Sequence, residues 1–585
     1  MNRPGAVGWR QLFAIFLWWL VCMLASATAV GRPNILYILT DDQSFRTMGC
    51  YREEGAYDWV RTPNLDRLAQ RGVRFTHAYL GSWCLPSRYT ALTGLHPYGI
   101  ESLRHGLVYP RNSYDPDRVT FWPRVFRAEG YYTGMIGKWH TGKDAGFGRD
   151  WDYQIVWNRP AGSRANAGAY YGTQELHFHG SKKPVRVEGY PADHYTGWAV
   201  DFIRERAGSA QPWALWLCYP NAHPPFVPAE RNQQEFAGVK VPTPVDIFVP
   251  APGKPAYLSK IHAWSRGPDG EPLMRRIKTP TAGGGALRED NLSAWCRQYQ
   301  QSVSAIDEGV GKILAALHAT GQDEETLVIF TSDQGFALGQ HGFAHKLAPY
   351  DANIRSPLII SQPGTIPQGQ VCRTPVGGVD LVATIYSRGG VRAPEPLDGH
   401  DLTPLLGNPA RPNWNHPVVQ SYTRMGFGEK TAQVWRSRSP VGPPVPWWVS
   451  VVQGHHKYVR TMVRGEVEEL YDLREDPEEL VNLALRKQDA ELLDEMRTTL
   501  DRELKRTNAP FVNRMPETGT SAALAKAERA VPAGRGSGLK AIFGRHSDRV
   551  NRPETGRVSK PGRLFGKSLV QAAKPGKRAC LGLKS

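Results

Sequence analysis

The chain has 585 residues and a mass of 65.2 kDa, enough for roughly two to four domains. Its composition of 41% hydrophobic, 10% aromatic and 22% charged residues is typical of a globular protein. This excludes a multi-span membrane protein, a collagen and a wholly disordered chain. Seven cysteines without any paired C-x-x-C spacing argue against zinc ribbons and dense disulfide frameworks.

The net charge of +17 is concentrated at the C-terminal end of the chain. Residues 511–585 carry 16 Lys and Arg against 4 Asp and Glu, a net +12, and Arg3 and Arg10 add +2. Only +3 remains for residues 30–510. We therefore expect no nucleic acid as the main partner, and we interpret residues 511–585 as a basic, disordered tail.

The N-terminus has the pattern of a secretory signal peptide. Arg3 and Arg10 precede an apolar run over residues 12–24, and an Ala27-Thr28-Ala29 site follows. The run is short for a transmembrane helix. We predict a signal peptide over residues 1–29, a secreted or periplasmic protein, and no transmembrane span after cleavage. An uncleaved N-terminal anchor is the alternative.

Four apolar runs of strand length occupy residues 34–40, 131–136, 213–219 and 327–331. Helix-like stretches lie between them, at residues 62–72 and 292–317 among others. This alternation predicts an α/β fold with a large, mostly parallel sheet sandwiched by helices. In such sheets ligands bind beyond the carboxyl ends of the strands. The polar residues that follow the four runs are Asp41 and Asp42, Lys138 and His140, His223, and Asp333 with Gln334.

The predicted catalytic domain covers residues 30–410 and the predicted C-terminal α+β subdomain covers residues 411–510. Strand-like segments at 447–452, 458–463 and 468–471, followed by a helix from about 489 to 505, indicate a small antiparallel sheet in the second. Two stretches rich in Gly, Pro and polar residues, 155–190 and 227–290, are interpreted as long loops over the site.

The most specific motif is C-L-P-S-R at residues 84–88, followed by Thr93-Gly94. Pro86 suits the first turn of a helix, which puts Cys84 just ahead of a helix N-terminus, where an anion is favoured. Arg88, one turn on, can add charge-assisted hydrogen bonds at the same point. By itself the motif also fits a buried structural cysteine or half of a disulfide.

The motif resembles the maturation signature of the type I sulfatases, of the alkaline phosphatase-like superfamily, in which the cysteine is oxidised to Cα-formylglycine. The resemblance extends over most of residues 33–485. The further segments that carry it are Pro33-Asn34-Ile35 with Asp41-Asp42, T-P-N-L-D-R-L-A at 62–69, Gly137-Lys138-Trp139-His140, His223-Pro224-Pro225-Phe226, Ser332-Asp333-Gln334-Gly335 with Lys346, and E-L-Y-D-L at 469–473 with Asp476-Pro477.

The resemblance implies a calcium site. Its ligands would be Asp41, Asp42, Asp333, the side-chain oxygen of Gln334 and the modified Cys84. The family usually has Asn or His where Gln334 stands; Gln keeps a carbonyl oxygen on a longer arm. Hard oxygen ligands without a thiolate or His cluster suit Ca²⁺ or Mg²⁺. Taken alone, each acidic pair also fits a helix cap or a turn.

The resemblance also implies roles in catalysis. Lys138, Lys346 and Arg88 would surround the sulfate and the aldehyde hydrate with positive charge. A hydroxyl of the hydrate, deprotonated with help from Asp333, would attack sulfur, His223 with Lys346 would protonate the leaving oxygen, and His140 would then deprotonate the second hydroxyl. A lone Lys is otherwise a solvated side chain and a lone His structural, and His341 and His345 lie close enough to Lys346 to be confused with its role.

The expected function is hydrolysis of sulfate monoesters, with a sulfated carbohydrate or a small sulfate ester as substrate and a formylglycine-generating enzyme as maturation partner. One alternative is a phosphonate or phosphate ester hydrolase of the same superfamily. Another is an unmodified, inactive relative that binds sulfated glycans. The basic tail fits either an electrostatic contact with anionic polysaccharide or membrane, or a solvated extension without a binding role.

Overall fold

The computed structural model describes residues 31–100, 115–142, 144–158, 166–275, 291–423 and 445–520. All of the described residues belong to one compact unit. The predicted signal peptide over residues 1–29 lies outside the described residues, as does the tail from residue 521 onward. Of the helices that the structure describes, none is both long and apolar enough to cross a lipid bilayer.

The described secondary structure consists of strands, α-helices and short 3₁₀ helices. The strands are β1 Asn34–Thr40, β2 Val73–Tyr79, β3 Tyr132–Lys138, β4 Tyr153–Trp157, β5 Gln174–Phe178, β6 Val185–Val187, β7 Trp213–Cys218, β8 Trp264–Arg266, β9 Pro272–Met274, β10 Thr326–Ser332, β11 Ser356–Ser361, β12 Gln370–Cys372, β13 Val376–Gly377, β14 Val418–Tyr422, β15 Trp448–Gln453, β16 His456–Thr461 and β17 Glu469–Asp472. The α-helices are α1 Pro63–Gln70, α2 Cys84–Thr93, α3 Trp122–Ala128, α4 Pro191–Glu205, α5 Leu292–Ala319, α6 Asp351–Ile354, α7 Gly378–Arg388, α8 Thr403–Gly407 and α9 Ala490–Arg506. The 3₁₀ helices are Phe45–Thr47, Gly49–Glu54, Pro97–Gly99, Asn166–Gly168, Glu230–Asn232, Ala256–Lys260, Gln340–Gly342, Leu483–Leu485, Lys487–Asp489 and Val512–Arg514.

The large sheet has the strand order β12-β2-β11-β10-β1-β7-β3-β4-β5-β6, with β13 also paired to β2. Its centre, from β10 through β1, β7 and β3 to β4, is parallel throughout. Antiparallel pairs occur toward both edges, at β10·β11, β11·β2, β4·β5 and β5·β6. The four predicted strands form the parallel centre with β4, so the predicted α/β architecture is confirmed.

Apolar cores cover both faces of the sheet, which explains why the central strands are apolar at consecutive positions. One core joins Leu85 and Leu92 of α2 with Trp122 of α3 and Leu381 of α7. The other joins Leu65 of α1, Ala199 of α4 and Ile306 of α5 with the opposite face of the same strands. The sheet is therefore held between helical layers, and its strand ends are presented at a fixed edge.

A second sheet, β14-β15-β16-β17, is antiparallel throughout. Helix α9 packs on it through Leu493, Met496 and Leu500, which share an apolar cluster with Val449 and Tyr458. The predicted small antiparallel sheet is confirmed. Strand β14 was not among the predicted segments, and it supplies the fourth strand.

Of the two expected long loops, one is wrong and the described part of the other agrees with the structure. Residues 155–190 are not a long loop, because β4, β5 and β6 extend the large sheet through this region before α4 begins. The described part of 227–290 does consist mainly of turns, with only the short β8–β9 hairpin.

The expected boundary of the tail at residue 511 is also wrong. Phe511 is fully buried in the cluster around α9, and Thr520 Oγ1 accepts a hydrogen bond from the Glu468 amide at 2.8 Å. Residues 511–520 are therefore attached to the folded domain at both ends, whereas the sequence placed the start of the tail at 511.

Candidate active site

The carboxyl ends of β1 and β10 bring two acidic segments together. Thr40 and Ser332 are paired in register, so Asp41 and Asp333 both lie one residue beyond the end of a strand. The Asp333 amide donates to the Thr40 carbonyl at 3.1 Å, and the Asp42 amide donates to Asp333 Oδ1 at 3.1 Å. All three carboxylates are buried. The acidic residues that follow β1 and β10 therefore lie together at one edge of the sheet, as the sequence predicts.

Cys84 lies at the centre of these acidic residues. Its Sγ is 3.2 Å from Asp41 Oδ1, 3.8 Å from Asp42 Oδ1 and 2.8 Å from Lys346 Nζ. The sequence placed Cys84 just ahead of a helix, but the structure makes it the first residue of α2, with Trp83 as the N-cap. The positive end of that helix is thus at the buried thiol.

Each of the three carboxylates faces one basic side chain. Lys138 Nζ contacts Asp41 Oδ2, and Lys346 Nζ is 2.5 Å from Asp42 Oδ1. Arg88 Nη2 is 3.3 Å from Asp333 Oδ2, while its Nη1 donates to the Lys138 carbonyl at 2.9 Å. The three predicted cations therefore reach the same buried cluster from β3, from α2 and from the segment that follows β10.

The donor set fits a hard divalent cation. Ligand atoms of Asp41, Asp42, Cys84 and Asp333 all lie within 4.8 Å of one another. Within the described residues, Asp42 Oδ2, Asp333 Oδ2 and Gln334 Oε1 are buried and accept no hydrogen bond. Asp333 Oδ2 has the ion pair with Arg88 but no hydrogen bond within the described part of the chain. Buried oxygens that accept no hydrogen bond are costly unless an ion or a ligand satisfies them. Oxygen donors of this kind suit Ca²⁺ or Mg²⁺.

Gln334 enters the cluster through its amide. Its Nε2 contacts Asp42 Oδ1 and lies 3.8 Å from Cys84 Sγ. Because the two ends of an amide are exchanged by a half-turn of the side chain, Oε1 can take the place of Nε2 at this position. The residue is therefore within reach of the cluster by its carbonyl oxygen.

Burial opposes ionisation in this cluster, and charge partners decide the outcome at each group. Burial raises the pKa of Asp333 to about 8, and the charge of Asp41 adds to the effect. Burial also acts on Asp41, but the charges of Lys138 and His223 hold the pKa of this carboxyl well below its usual range. A divalent cation among the oxygens would favour the ionised form of Asp333.

The thiol itself is kept protonated. Burial, followed by the charge of Asp41, raises the pKa of the Cys84 thiol. Burial opposes the charge of Lys346, but the attraction of Asp42 outweighs it and raises the pKa of that ammonium group. An unmodified Cys84 is therefore a poor nucleophile, since the thiolate is the reactive form.

His223 reaches the cluster from the end of β7. Its Nε2 is 3.7 Å from Asp42 Oδ2, and its Nδ1 is 2.7 Å from the Pro224 carbonyl. Because a carbonyl can only accept, Nδ1 carries a proton, and Nε2 is the nitrogen that faces the acidic cluster. The ring stacks on Tyr170 at a centroid distance of 3.9 Å and an interplanar angle of 7°.

His140 follows β3 by two residues and is buried. It adopts a left-handed backbone with φ of 60°, and Asp42 does so with φ of 61°. Such conformations cost a non-glycine residue free energy and concentrate at functional sites. Gly137, with φ of 107°, meets a different constraint, because a Cβ there would lie 2.1 Å from the Cys218 carbonyl oxygen. The last part of β3 therefore requires glycine directly before Lys138.

The two histidines close to Lys346 in sequence have partners outside the carboxylate cluster. His341 Nδ1 is 2.7 Å from Asp246 Oδ2, and His345 Nδ1 lies 3.3 Å from the Lys346 carbonyl. Lys346 alone of these three contacts Cys84 Sγ in the structure. The residue chosen from the resemblance is thus the one placed at the cluster.

Several contributors were missed from the sequence. Tyr170 stacks on His223, and the hydroxyl of Tyr171 donates to the His223 carbonyl at 2.6 Å. Tyr299 of α5 binds the backbone beyond β1, contacting the Asp42 carbonyl and accepting from the Ser44 amide at 2.8 Å. The adjacent tyrosines lie in the stretch interpreted as loop, and no spacing rule indicates them.

Family models match the part of the chain that contains the carboxylate cluster. The family model described as Sulfatase matches residues 33–391, more than half of the chain. The chain belongs to the sulfatase family. A second model, described as the C-terminal region of N-sulphoglucosamine sulphohydrolase, matches residues 339–506. The two matched regions together contain both sheets of this sulfatase. It is a sulfuric ester hydrolase, and its family belongs to the alkaline phosphatase-like superfamily.

Individual relatives agree with the family. The sulfatase is 26% identical over 496 residues to N-acetylglucosamine-6-O-sulfatase of Bacteroides thetaiotaomicron, covering 77% of this chain and 82% of the relative. It is 30% identical over 380 residues to mouse iduronate 2-sulfatase, covering 61% and 65%.

Solved structures share its fold. BT4656 in complex with its substrate D-glucosamine-2-N,6-O-disulfate has a TM-score of 0.68 at 23% identity, covering 83% of this chain and 99% of the other. The phosphonate monoester hydrolase of Agrobacterium radiobacter has a TM-score of 0.60 at 22% identity, covering 81% and 96%.

Proposed function

We propose that this sulfatase is an exported enzyme that hydrolyses sulfate monoesters of carbohydrates, with Cys84 oxidised to formylglycine and with a calcium ion at the carboxylates. The observation that carries the proposal is the position of Cys84 Sγ, 3.2 Å from Asp41 Oδ1 and 2.8 Å from Lys346 Nζ, at the buried end of the parallel sheet. Candidate acids, bases and the candidate nucleophile position meet there.

Oxidation of residue 84 would supply an aldehyde hydrate, whose hydroxyl is the nucleophile that a protonated thiol cannot provide. Its conversion requires a maturation enzyme, which we propose as a partner. Asp41, Asp42, Asp333 and Gln334 would hold Ca²⁺, which supplies positive charge next to the reacting oxygen. Asp333, which lies in the same buried cluster as Cys84, is the carboxylate that would accept the proton of the attacking hydroxyl.

The chain's basic groups would bind the sulfate. Lys138, Lys346 and Arg88 already converge on the cluster with fixed partners, so they need little rearrangement as charge develops. Each is buried, and burial strengthens its interaction with an anion. Their three charges balance those of the three carboxylates, which leaves the charge of the divalent cation to attract the sulfate ester.

Two histidines would move protons. His223 has Nδ1 held by the Pro224 carbonyl and Nε2 toward the cluster, which suits it to donate a proton from Nε2 to the leaving oxygen, with Lys346 alongside. His140, at the end of β3, would accept a proton at the stage that releases sulfate. For His223, the Pro224 carbonyl rather than another side chain fixes the proton on Nδ1 and so sets the tautomer.

The substrate class is drawn from relatives. N-acetylglucosamine-6-O-sulfatase of Bacteroides thetaiotaomicron and mouse iduronate 2-sulfatase are named for sulfated sugars. We propose a sulfated amino sugar or uronic acid unit as the substrate for this chain. Export is proposed from the signal-like N-terminus at residues 1–29.

The proposal is tested by measuring both the modification of residue 84 by mass spectrometry and the hydrolysis of sulfate esters. Protein matured with a formylglycine-generating enzyme is digested, and the peptide over residues 75–104 is expected to carry an aldehyde at position 84. Cleavage of 4-nitrophenyl sulfate and of glucosamine 6-sulfate is then measured for the wild type and for Cys84→Ala, in which we expect activity to fall to background. Cys296→Ala, which also removes a buried thiol, is the matched control and should retain activity. An unmodified thiol in active protein would contradict the proposal.

A second candidate is hydrolysis of phosphonate or phosphate esters. Two comparisons support this candidate. The phosphonate monoester hydrolase of Agrobacterium radiobacter shares the fold at a TM-score of 0.60. The chain is also 25% identical over 497 residues to PehA of Trinickia caryophylli, a multifunctional alkaline phosphatase superfamily protein. The ratio of kcat/KM for an aryl sulfate to that for an aryl phosphonate separates the two. A ratio below one would assign the second function. An unmodified thiol together with binding of sulfated glycan and no turnover would instead indicate a binding protein.

A further inference from the structure

The small antiparallel sheet carries a cluster of two histidines and an aspartate at one end, apart from the carboxylates of β1 and β10. His455, His456 and Asp472 each offer a ligand atom, and these atoms lie within 4.8 Å of one another. His455 Nε2 is 3.6 Å from Asp472 Oδ2, and His456 Nε2 is 3.9 Å from the same oxygen. Both imidazoles thus present the same kind of nitrogen to one carboxylate oxygen.

The fold explains why the three side chains converge. Strands β15 and β16 are joined by a tight turn at Gly454 and His455, in which Gly454 has φ of 61°. His456, at the start of β16, is directly paired with Asp472 at the end of β17, so their side chains share one face of the sheet. His455 is fixed beside them, because its carbonyl accepts a hydrogen bond from the Leu473 amide at 2.8 Å.

The carboxylate is oriented before any ligand arrives. Asp472 Oδ1 accepts hydrogen bonds from the amides of Arg474 at 3.0 Å and Glu475 at 3.2 Å. These bonds leave Oδ2 directed at the two imidazoles, while Nη2 of the exposed Arg474 side chain lies 4.0 Å from the same oxygen. Backbone donors behind a carboxylate ligand are a usual feature of metal sites, since they fix its direction.

The distances differ from those of ordinary histidine–aspartate pairs in the same protein. His341 Nδ1 lies 2.7 Å from Asp246 Oδ2, and His318 Nδ1 lies 3.0 Å from Asp323 Oδ2, both within hydrogen-bond range. The two contacts to Asp472 Oδ2 are longer than a hydrogen bond. Ligands bound at about 2.0–2.2 Å to one tetrahedral ion are separated by roughly 3.3 Å, so each of the two His–Asp separations would shorten by about half an ångström on binding.

We propose that His455, His456 and Asp472 form a binding site for a first-row divalent transition metal ion of the Zn²⁺ class. Two imidazoles and a carboxylate suit such an ion, whereas the all-oxygen set at Asp41, Asp42 and Asp333 suits Ca²⁺. The three residues are partly exposed, so an ion and completing water molecules have access from solvent. The bound ion would clamp the turn at Gly454 onto the end of β17.

The site is tested by metal titration of protein without a polyhistidine tag, in excess CaCl₂ so that the hard oxygen site is saturated. Co²⁺ is expected to bind one equivalent per chain with visible absorption bands, and Zn²⁺ to displace it and raise the Tm. His456→Ala and Asp472→Asn are expected to weaken Co²⁺ binding at least tenfold. Asn at 472 retains an oxygen for the amides of Arg474 and Glu475.

His318→Ala is the matched control, because it removes a surface histidine that pairs with one aspartate and has no second imidazole nearby in the described residues. It should bind Co²⁺ as the wild type does. If His456→Ala does not fold, His455→Ala, in the more exposed turn, replaces it. Equal Co²⁺ uptake by the wild type and the Asp472→Asn and His455→Ala variants, or no uptake by the wild type, would overturn the proposal.

Discussion

Two buried charge clusters in this sulfatase have similar composition and different organisation. The first gathers three carboxylates and three cations around Cys84 at the end of the large sheet. The second lies between that sheet and the small one, where Lys457 Nζ is 2.8 Å from both Asp351 Oδ1 and Glu479 Oε1. Tyr79 donates to Asp351 at 2.9 Å, and Tyr350 donates to Glu469 at 2.8 Å.

The difference lies in what each cluster surrounds. In the second cluster, strand β16 and the segments at Asp351 and Glu479 are joined through one buried ammonium group, which makes it a connection between the sheets. Both clusters contain buried oxygens that accept no hydrogen bond within the described residues, for example Glu469 Oε1 in the second and Asp42 Oδ2 in the first. In the first cluster, however, the carboxylates lie around the Cys84 thiol. Buried charge alone therefore does not indicate a catalytic site, whereas its convergence on a candidate nucleophile position does.

The largest expected effect is at His223. In His223→Gln, kcat/KM should fall by about 10²–10⁴ for an alkyl sulfate such as a sulfated sugar, because the leaving oxygen then lacks its proton donor. For 4-nitrophenyl sulfate, whose leaving group is stable as an anion, the loss should be far smaller. Steady-state kinetics on both substrates test this, and equal losses would remove His223 from the role of acid.

Lys457→Met should affect stability rather than chemistry. Removing the ammonium leaves Asp351 and Glu479 as buried carboxylates without a cation between them, which costs about 3–5 kcal/mol. Urea unfolding monitored by circular dichroism gives the change in the free energy of unfolding. A kcat close to wild type in the folded fraction is expected, and a large loss of kcat with unchanged stability would contradict the comparison.

Removal of calcium should act on the first cluster alone. At a free Ca²⁺ concentration 100-fold above its Kd, the ion adds about 2.7 kcal/mol to the free energy of unfolding, which a chelator removes. Calorimetric scans with Ca²⁺ and with EGTA measure the difference. Lys457→Met should show the same calcium-dependent increment as the wild type, whereas Asp333→Asn should show less. If Ca²⁺ does not increase the free energy of unfolding of the wild type, the proposed calcium site is contradicted.

The smallest effect is expected at Tyr170, which we predict to be a positioning residue. Its ring stacks on His223 and lies 5.2 Å from Lys138 Nζ. Tyr170→Leu should lower kcat about tenfold, roughly 1.4 kcal/mol, on alkyl sulfates and leave KM little changed. Tyr170→Phe keeps the stack and should recover the wild-type rate. If Phe is as poor as Leu, the hydroxyl rather than the ring is responsible.

Much of the fold could be predicted because the signals are local. The runs at β1, β7 and β10 are apolar at consecutive positions, as expected for strands buried on both faces. Strands β4 to β6 were missed because they lie in a segment rich in Gly and polar residues, and their pairing depends on β3 rather than on their own pattern.

The members of the candidate site were predictable where they follow a strand or a motif. Asp41, Asp333 and Lys138 each follow an apolar run, and Cys84 belongs to a motif of fixed spacing. Tyr170, Tyr299 and the pairing of His456 with Asp472 had no such signal, because residues distant in sequence come together only through packing or strand register.

The sequence by itself determined the parallel sheet, the family and the residues at the strand ends, since apolar runs and short motifs are written along the chain. Only the tertiary structure decided that Cys84 opens its helix, that each carboxylate meets one cation, and that His341 pairs with Asp246 while Lys346 reaches the thiol. These outcomes depend on distances between segments far apart in the chain, which are fixed by register and packing rather than by local preference.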